Sequence, residues 1–233
     1  MSTELITFAR RDDASAAAAA GLARGLRQGL EEQDRASLVV SGGTTPGPCF
    51  ELLAQETLDW SRVEVWLSDE RWVPSDHADS NERLVRETLL KGPAAAAEVC
   101  PVYEAGQQPA ARCDALDAQL KTGAVPFSAS LLGMGGDGHF ASLFPDADNL
   151  VPGLAADGES YCLPIRTQAS PHPRVSLTLA ALIQCELIHL LIFGEDKRRV
   201  VESALDAKPG TADLPVAHLL RQLKTPVYVL WAP

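Results

Sequence analysis

Short apolar segments alternate along this chain with longer segments that favour helix. Ser37–Val40, for example, is followed by a glycine turn and then by Pro46, a residue suited to the first turn of a helix. Parallel strands need crossover connections, and these are usually helices. The alternation therefore predicts an α/β fold whose mostly parallel sheet is covered by helices on both faces.

Apolar runs and turn signals place the individual elements. The predicted strands are Ser37–Val40, Val63–Leu67, Cys100–Tyr103, Ala129–Leu132, Tyr161–Ile165, Leu187–Phe193 and Val227–Trp231. The predicted helices with both ends defined are Ala14–Glu31, Ser80–Leu90, Ala110–Lys121 and Gly194–Leu205, the first of them capped by Asp12 or Asp13. A further helix, capped by Thr44 or Thr45, is predicted to end near Gln55, and another is predicted to start within Phe140–Phe144. Arg174–Leu182 fits either type, since its first half alternates like a strand and its Ala-rich end favours helix.

The chain length favours a single domain. It has 233 residues, of which 46% are hydrophobic, enough to bury a sizeable core. No internal repeat and no linker interrupts the pattern. We therefore expect one α/β domain over residues 1–233.

Four polar or glycine-rich segments come directly after predicted strands. They are Ser41–Pro46, Ser68–Arg71, Gly133–His139 and Gly194–Lys197. In open α/β sheets, ligands bind at the carboxyl ends of the strands. The common placement of the four segments predicts one shared site.

The first of these segments suits an anion. Gly42 and Gly43 let the backbone approach a ligand closely, and the following helix directs free N–H groups at it. Phosphate is the natural occupant, although a plain tight turn explains the glycines equally well. The segment matches neither the Walker pattern nor the dinucleotide fingerprint.

Three cations lie near the predicted site. Arg71 follows Asp69 and Glu70, an arrangement that fits either a surface ion pair or a bidentate phosphate contact, with Asp69 free to orient a catalytic group. Arg174 and Lys197, taken singly, suit solvated charges. Lys197, however, lies in the first turn of a helix, where the dipole disfavours a cation, and an anionic ligand would account for it.

The segment Gly133–His139 has four glycines before its histidine. Such a loop weakens a fold unless its backbone is needed, and its N–H groups suit a developing oxyanion. Histidine is the side chain whose chemistry best suits proton transfer near neutral pH, and His139 stands beside these amides. The loop therefore predicts a catalytic base.

Charge and cysteine content exclude several classes of protein. The net charge of −11 disfavours nucleic acid and anionic membranes. The five cysteines are scattered and form no CxxC pair, so we expect neither disulfides nor a zinc site. This cysteine usage fits a protein of the reducing cytoplasm. Nothing near the N-terminus resembles a signal peptide, and Leu187–Phe193 is far shorter than the ~20 residues of a membrane span.

The remaining histidines predict no metal. His77, His172, His189 and His218 show no metal-ligand spacing in the sequence, and His189 falls inside a predicted strand, where a packed role is expected. The sequence also has no GxSxG elbow. A hydrolase built on this chain would therefore use water directly, without a metal or other cofactor.

Taken together, these segments resemble the 6-phosphogluconolactonase family. The resemblance rests on Ser41–Pro46, Asp69–Val73 with Asn81, Gly133–Pro145, Pro173–Thr178 and Gly194–Lys197, which span most of the chain in order. Thr44 stands where the family usually has Ser, and a hydroxyl is retained. The related glucosamine-6-phosphate deaminases continue their glycine-histidine loop with Asn-Glu-Pro, where this chain has Leu143-Phe144-Pro145.

The resemblance implies a three-layer α/β/α fold like that of glucosamine-6-phosphate deaminase. It implies metal-free hydrolysis of 6-phospho-D-glucono-1,5-lactone in the oxidative branch of the pentose phosphate pathway. We further expect the protein to be cytoplasmic and monomeric. The phosphate would lie among Gly42, Gly43, Thr44, Arg71, Arg174 and Lys197. His139 would be the general base, oriented by Asp69 or Asp137, and amides among Gly135, Gly136 and Gly138 would hold the oxyanion.

Two other functions remain open at this point. A deaminase or aldose-ketose isomerase on the same fold would use Asp69 as the base at C2 and His139 for ring opening. A non-catalytic sugar-phosphate sensor would need no His139 and would ordinarily carry a helix-turn-helix segment, for which the α/β pattern leaves no room. Ammonia release from glucosamine 6-phosphate would select the deaminase.

Overall fold

The computed structural model describes residues 3–211 and 213–233. Within these residues, a parallel sheet of seven strands forms the centre of the molecule. In spatial order its strands are β1 (Thr3–Thr7), β10 (Val227–Ala232), β9 (Ile188–Phe193), β6 (Ala129–Leu132), β2 (Ala36–Val40), β3 (Val63–Leu67) and β5 (Glu98–Val99). This sheet confirms the predicted α/β class with a mostly parallel centre.

The inner strands of this sheet are almost wholly apolar and buried. Every residue of β2 and of β6 is buried, which suits strands covered on both faces. β9, β6, β2 and β3 are direct neighbours in the sheet. Because parallel strands end at the same edge, the four polar segments that follow these strands meet there.

A second, antiparallel sheet extends from the carboxyl end of β3. It contains β4 (Asp69–Arg71), β8 (Arg174–Leu177) and β7 (Cys162–Ile165), in the order β4, β8, β7. β4 pairs with β8 so that Asp69 is opposite Ser176 and Arg71 is opposite Arg174. The polar segment Ser68–Arg71 is therefore largely strand, and the ambiguous stretch Arg174–Leu182 divides into a strand and a short helix.

Helices pack around the large sheet and beside the small one. In chain order they are α1 (Arg11–Glu32), α2 (Gly47–Leu53), α3 (Asn81–Thr88), α4 (Pro109–Gln119), α5 (Leu150–Leu154), α6 (Leu179–Leu182), α7 (Glu195–Leu205) and α8 (Pro215–Arg221). α1 contacts β2, β6, β9 and β10, and α4 contacts β7 and β8. None of these described helices is long and apolar enough to cross a membrane.

Three local predictions were wrong. Neither Thr44 nor Thr45 caps α2, which begins at Gly47 with Pro46 as its N-cap residue. No helix starts within Phe140–Phe144, because Ala141 adopts a φ of 48°, which a right-handed helix does not accept. The strand expected at Cys100–Tyr103 lies two residues earlier, at Glu98–Val99.

The prediction also missed several short elements, among them β1, α5 and α8, and shifted one helix start. β1 is a partly exposed edge strand whose burial does not alternate, and α8 has only seven residues. Both therefore leave weak patterns in the sequence. α1 begins at Arg11 without a side-chain cap, and Asp12 and Asp13 lie in its first turn, where their charges favour the helix dipole.

Candidate active site

A cavity of about 350 Å³ opens at the carboxyl ends of the inner strands. All four predicted segments contribute to it, together with residues of the small sheet and its loops. Its lining consists of Ser41, Gly42, Gly43, Thr44, Thr45, Asp69, Arg71, Asn81, Gly133, Met134, Gly135, His139, Ala141, Phe144, Ala169, Arg174 and Lys197. The cavity is large enough for one small polar ligand.

The glycine turn after β2 needs both of its glycines. A side chain at Gly42 would place its Cβ 1.8 Å from Oδ1 of Asn81, and Gly43 has a φ of +90°. Asn81 in turn donates from Nδ2 to the backbone oxygen of Asp69 at 2.8 Å. The turn is thus packed directly against the start of α3 and against β4.

Glu70 joins β4 to the start of α3. Its buried carboxylate accepts hydrogen bonds from the amides of Arg71, Asn81 and Glu82 (2.7, 2.8 and 2.7 Å) and from the Ser80 hydroxyl (2.9 Å). Burial raises the pKa of Glu70, and the four hydrogen bonds oppose that rise. Glu70 therefore positions Arg71 and Asn81 and stands outside the cavity lining.

Three cations face the cavity with few anions to neutralise them. Arg71 donates from Nη1 to the carbonyl of Asp79 at 2.6 Å, and its Nε is buried without a partner among the described residues. Lys197 is half-buried, and this burial lowers the pKa of its ammonium group. Lys197 forms no ion pair within the described part of the chain. These unsatisfied donors suit a doubly charged anion.

A buried polar network fixes the third cation, Arg174. Its Nη1 lies 3.2 Å from Oδ2 of Asp69 and donates to the Ser142 hydroxyl at 3.1 Å. Ser142 donates to the same Asp69 oxygen at 2.5 Å. Burial lowers the pKa of Arg174 and the Asp69 charge opposes that shift. Asp69 is therefore held by Arg174 and Ser142.

His139 has its own carboxylate partner. Its Nδ1 lies 2.6 Å from Oδ1 of Asp137. Since a carboxylate accepts hydrogen bonds, this contact places the proton on Nδ1 and leaves Nε2 as the basic nitrogen. Of the two carboxylates considered from the sequence, the structure places Asp137 at the imidazole. The imidazole side chain is 26% exposed, so water can reach it.

Phe144 lies between the imidazole and Arg174. Its ring is 4.0 Å from the His139 ring, with a 30° angle between the planes, and Cζ of Arg174 lies 5.2 Å from its centre. The aromatic ring thus supports the His139 ring on one side. Phe144 stands at the loop position where the related deaminases are expected to have the Glu of their Asn-Glu-Pro sequence.

The glycine loop fits its expected role only in part. The amide of Gly135 donates to the carbonyl of His139 at 2.9 Å, and the amide of Gly138 donates to the carbonyl of Gly135 at 3.1 Å. Both donors are occupied within the turn, which argues against the oxyanion role expected for them. The amide of Gly136 has no backbone partner within residues 3–211 and 213–233.

The structure brings most predicted site residues to one cavity. Those that line it are Gly42, Gly43, Thr44, Asp69, Arg71, Gly135, His139, Arg174 and Lys197. Asp137 acts on it through His139, while Gly136 and Gly138 stand outside its lining. The sequence assigned no role to Ser142 or Asn81, because their contacts with Asp69 and Gly42 join different segments of the chain. It also assigned none to Phe144, whose contact with the His139 ring depends on how the loop folds.

Comparison with known proteins gives consistent relatives over the whole chain. A family described as glucosamine-6-phosphate isomerases/6-phosphogluconolactonase matches residues 9–229. The 6-phosphogluconolactonase of Pseudomonas aeruginosa is 40% identical over 215 residues, 92% of this chain and 89% of that protein. That of Caulobacter vibrioides is 40% identical over 231 residues, 98% and 97% of the two chains.

Solved structures agree with these relatives. A 6-phosphogluconolactonase from Shewanella baltica superposes with a TM-score of 0.92 and 35% identity, over 99% of this chain and 98% of that one. A monomeric glucosamine-6-phosphate deaminase superposes with a TM-score of 0.75 at 17% identity, covering 97% and 96%, and shows the shared fold alone.

Proposed function

The chain belongs to the family of glucosamine-6-phosphate isomerases and 6-phosphogluconolactonases, and we propose that it hydrolyses 6-phospho-D-glucono-1,5-lactone to 6-phospho-D-gluconate. The observation that carries this proposal is the pairing of His139 with Asp137 in a cavity that also contains three cations. A base and an anion-binding region thus share one space the size of a sugar phosphate. The reaction belongs to the oxidative branch of the pentose phosphate pathway.

The phosphate of the lactone binds among the cations and the glycine turn. Arg71 and Lys197 bring positive charge without close counterions in the described residues, and the turn of Gly42, Gly43 and Thr44 brings its backbone close. Arg174 adds a fixed charge that Asp69 holds in place. Binding at this end converts phosphate affinity into orientation of the carbonyl carbon C1.

His139 acts as the general base. The proton on Nδ1, held by Asp137, leaves Nε2 free to take a proton from a water molecule as its oxygen attacks C1. Asp137 stabilises the imidazolium that forms. The carbonyl oxygen becomes an oxyanion. Of the three loop glycines, Gly136 is the one whose amide has no backbone partner within the described residues, and it adjoins Gly135 in the cavity lining.

Collapse of this intermediate opens the ring. The bond between C1 and the ring oxygen breaks, and the imidazolium of His139 returns its proton to the departing oxygen. The products are the carboxylic acid and the free hydroxyl of 6-phosphogluconate, and no proton is left on the imidazole.

The hydrogen bonding of Asp69 favours hydrolysis over the deaminase reaction. A base at C2 needs a free carboxylate, and that of Asp69 is engaged by Arg174, by Ser142 and by Ser68 (3.2, 2.5 and 3.2 Å). Phe144 also gives the imidazole an aromatic neighbour in place of a second carboxylate. A passive sensor, in turn, has no use for an imidazole paired with Asp137.

We also propose that the enzyme acts as a cytoplasmic monomer. One chain supplies all the residues that line the cavity, so a single copy is sufficient for the proposed site. The five cysteines are free, and four of them are buried. Sedimentation equilibrium measures the oligomeric state, and a stable dimer would contradict the monomer.

Freshly generated lactone tests the base assignment. Because the lactone also opens unaided, its disappearance is followed with and without protein and corrected for the spontaneous rate. His139→Ala should lower kcat about 10²–10⁴-fold. His218→Ala, at an exposed position on α8, is the matched control and should keep the parent rate. Parent activity in His139→Ala would remove the base assignment.

Lysine variants test the phosphate end. Lys197→Ala should raise KM for the phosphorylated lactone at least about tenfold and change KM for unphosphorylated gluconolactone much less, since one charge-assisted contact is lost. Lys208→Ala, at an exposed lysine, is the control. Equal effects on the two lactones would refute the phosphate role of Lys197.

A further inference from the structure

Two loops at the rim of the cavity bring His77, Asp79 and His172 together. His77 and Asp79 follow β4, and His172 precedes β8. β4 and β8 are paired strands, and beyond their last pair the amide of Trp72 donates to the carbonyl of Pro173 at 2.8 Å. The ladder therefore holds the two loops side by side, although Asp79 and His172 are 93 positions apart.

The three side chains have the spacing of a metal site. Nε2 of His172 lies 3.1 Å from Oδ2 of Asp79, and Nδ1 of His77 lies 3.8 Å from the same oxygen. One ligand atom from each residue lies within 4.8 Å of the other two. Ligand atoms around a tetrahedral zinc ion, with bonds of about 2.1 Å, are about 3.4 Å apart. A small movement of the side chains would bring all three onto one ion.

The chemistry of the three groups favours an ion of the zinc class. Two imidazoles and one carboxylate are ligands for zinc, cobalt or nickel, whereas magnesium and calcium prefer oxygen ligands alone. Nδ1 of His77 accepts a hydrogen bond from the amide of Asp79 at 3.1 Å, so an ion bound at this nitrogen would replace that hydrogen bond. The net charge of −11 favours cations in general.

A simple ion pair explains only part of the arrangement. It accounts for the contact between His172 and Asp79, and the Asp79 amide holds Nδ1 of His77 by a local hydrogen bond, but neither contact accounts for the approach of the two rings. The His77 ring stands edge-on to the His172 ring, with 5.6 Å between centres and an angle of 79°. This placement directs two rings toward the same carboxylate.

We propose that His77, Asp79 and His172 form a binding site for a divalent transition-metal ion of the zinc class, with water completing its coordination. These three side chains stand outside the lining of the catalytic cavity. A bound ion would tie together two rim loops, one of which carries the carbonyl that accepts a hydrogen bond from Arg71. The site does not depend on the proposed lactone hydrolysis.

Calorimetric titration of the full chain with Zn²⁺ tests the site. The parent protein should bind one equivalent, and His77→Ala, Asp79→Asn and His172→Ala should each weaken binding at least about tenfold. Asp76→Asn removes the same charge from the same loop, and His218→Ala removes an exposed imidazole elsewhere. Both controls should keep the parent affinity. Absence of saturable binding to the parent protein would overturn the proposal.

Titration with Co²⁺ distinguishes this site from two competitors. The half-buried Cys100 has a pKa raised to about 11 by burial, so its thiol is a poor ligand. A thiolate-to-cobalt charge-transfer band would nevertheless assign the ion to a cysteine. Binding that persists in the three ligand variants and disappears in His139→Ala would place the ion in the cavity. Either result would overturn the proposal.

Discussion

The two sheets of the molecule contribute differently to stability and to chemistry. In the seven-stranded sheet, β2, β3 and β6 are almost entirely apolar, and their burial supplies the core. In the small sheet of the described chain, β4 and β8 carry Asp69, Glu70, Arg71 and Arg174. The buried carboxylates of Asp69 and Glu70 are satisfied by hydrogen bonds from neighbouring elements, whereas Nε of Arg71 and Nε of Arg174 are buried without a partner among the described residues. The comparison thus assigns stability to the large sheet and ligand chemistry to the small one.

The largest effect on stability is expected in the large sheet. Leu38 is fully buried at the centre of β2, and Leu38→Ala should lower the free energy of unfolding by about 2–5 kcal/mol. KM should stay unchanged in the folded protein. Urea unfolding measures the loss. Leu223→Ala, at a position 76% exposed, should change stability by less than about 0.5 kcal/mol, and an equal loss there would contradict the comparison.

His189 is the polar exception within the large sheet and predicts a pH dependence of stability. Burial lowers the pKa of this imidazole from 6.5 to about 4, with a smaller contribution from the Arg24 charge. Its Nδ1 has no hydrogen-bond partner among the described residues. The unfolded chain therefore binds a proton below pH 6.5 that the folded chain refuses until about pH 4.

Stability should fall as the pH drops through that window. The contribution of His189 is present above pH 6.5 and is lost toward pH 4, by about 3 kcal/mol in total. Unfolding experiments across this range should show a shallower slope for His189→Leu than for the parent. His218→Leu, an exposed control, should keep the parent slope. An unchanged slope in His189→Leu would assign the acid sensitivity to other groups.

Gly42 tests the junction between the two sheets. Gly42→Ala would force its Cβ onto the side chain of Asn81, costing about 1–3 kcal/mol and shifting the phosphate turn. kcat/KM should fall by about tenfold or more, since small displacements of a binding turn are costly. Gly47→Ala, five positions further along the chain, is the control. A Cβ at Gly47 would have no neighbouring atom within 4 Å, so this variant should keep stability and activity near the parent values. Parent activity in Gly42→Ala would show that the junction tolerates movement.

The smallest expected effect concerns the network of the small sheet. Ser142→Ala removes a hydroxyl shared by Asp69 and Arg174, but the direct contact of 3.2 Å between these two remains. We expect a loss of about 1 kcal/mol in stability and a rise of a few-fold in KM. Ser61→Ala, whose hydroxyl contacts exposed Asp59, is the control. If Ser142→Ala lowered the free energy of unfolding by more than about 3 kcal/mol, the contact between Asp69 and Arg174 would depend on the Ser142 hydroxyl, contrary to this expectation.

Local patterns were sufficient to predict the inner strands of the large sheet, but not its edge strands β1 and β5. The strands at Val63–Leu67 and Ala129–Leu132 have the predicted bounds, because each is an apolar run bordered by turn residues. In the small sheet, β7 was predicted and β8 was one of the two interpretations of Arg174–Leu182, but β4 and its pairing with β8 were not predicted. β4 has only three residues, all charged, and it pairs across more than 100 positions, as Asp69 does with Ser176. Long-range pairing of this kind leaves no periodic signal.

The candidate site divides in the same way. The turns that follow the inner strands could be predicted, because parallel strands bring their carboxyl ends to one edge. Ser142 and Asn81 could not, since each acts through contacts with other segments. The cluster of His77 and His172 also escaped prediction, because only the pairing of β4 with β8 joins their loops.

The sequence by itself determined most of the order of strands, turns and helices, and it left Asp69 or Asp137 as the partner of His139. The structure pairs His139 with Asp137, which lies two positions away in the same turn. The tertiary structure decided which partner Asp69 would have. Asp69 contacts Ser142 and Arg174, 73 and 105 positions away, and leaves the imidazole to Asp137. The reason is physical: a hydrogen bond depends on distance and direction in space, and for remote segments only the packing of the two sheets sets these.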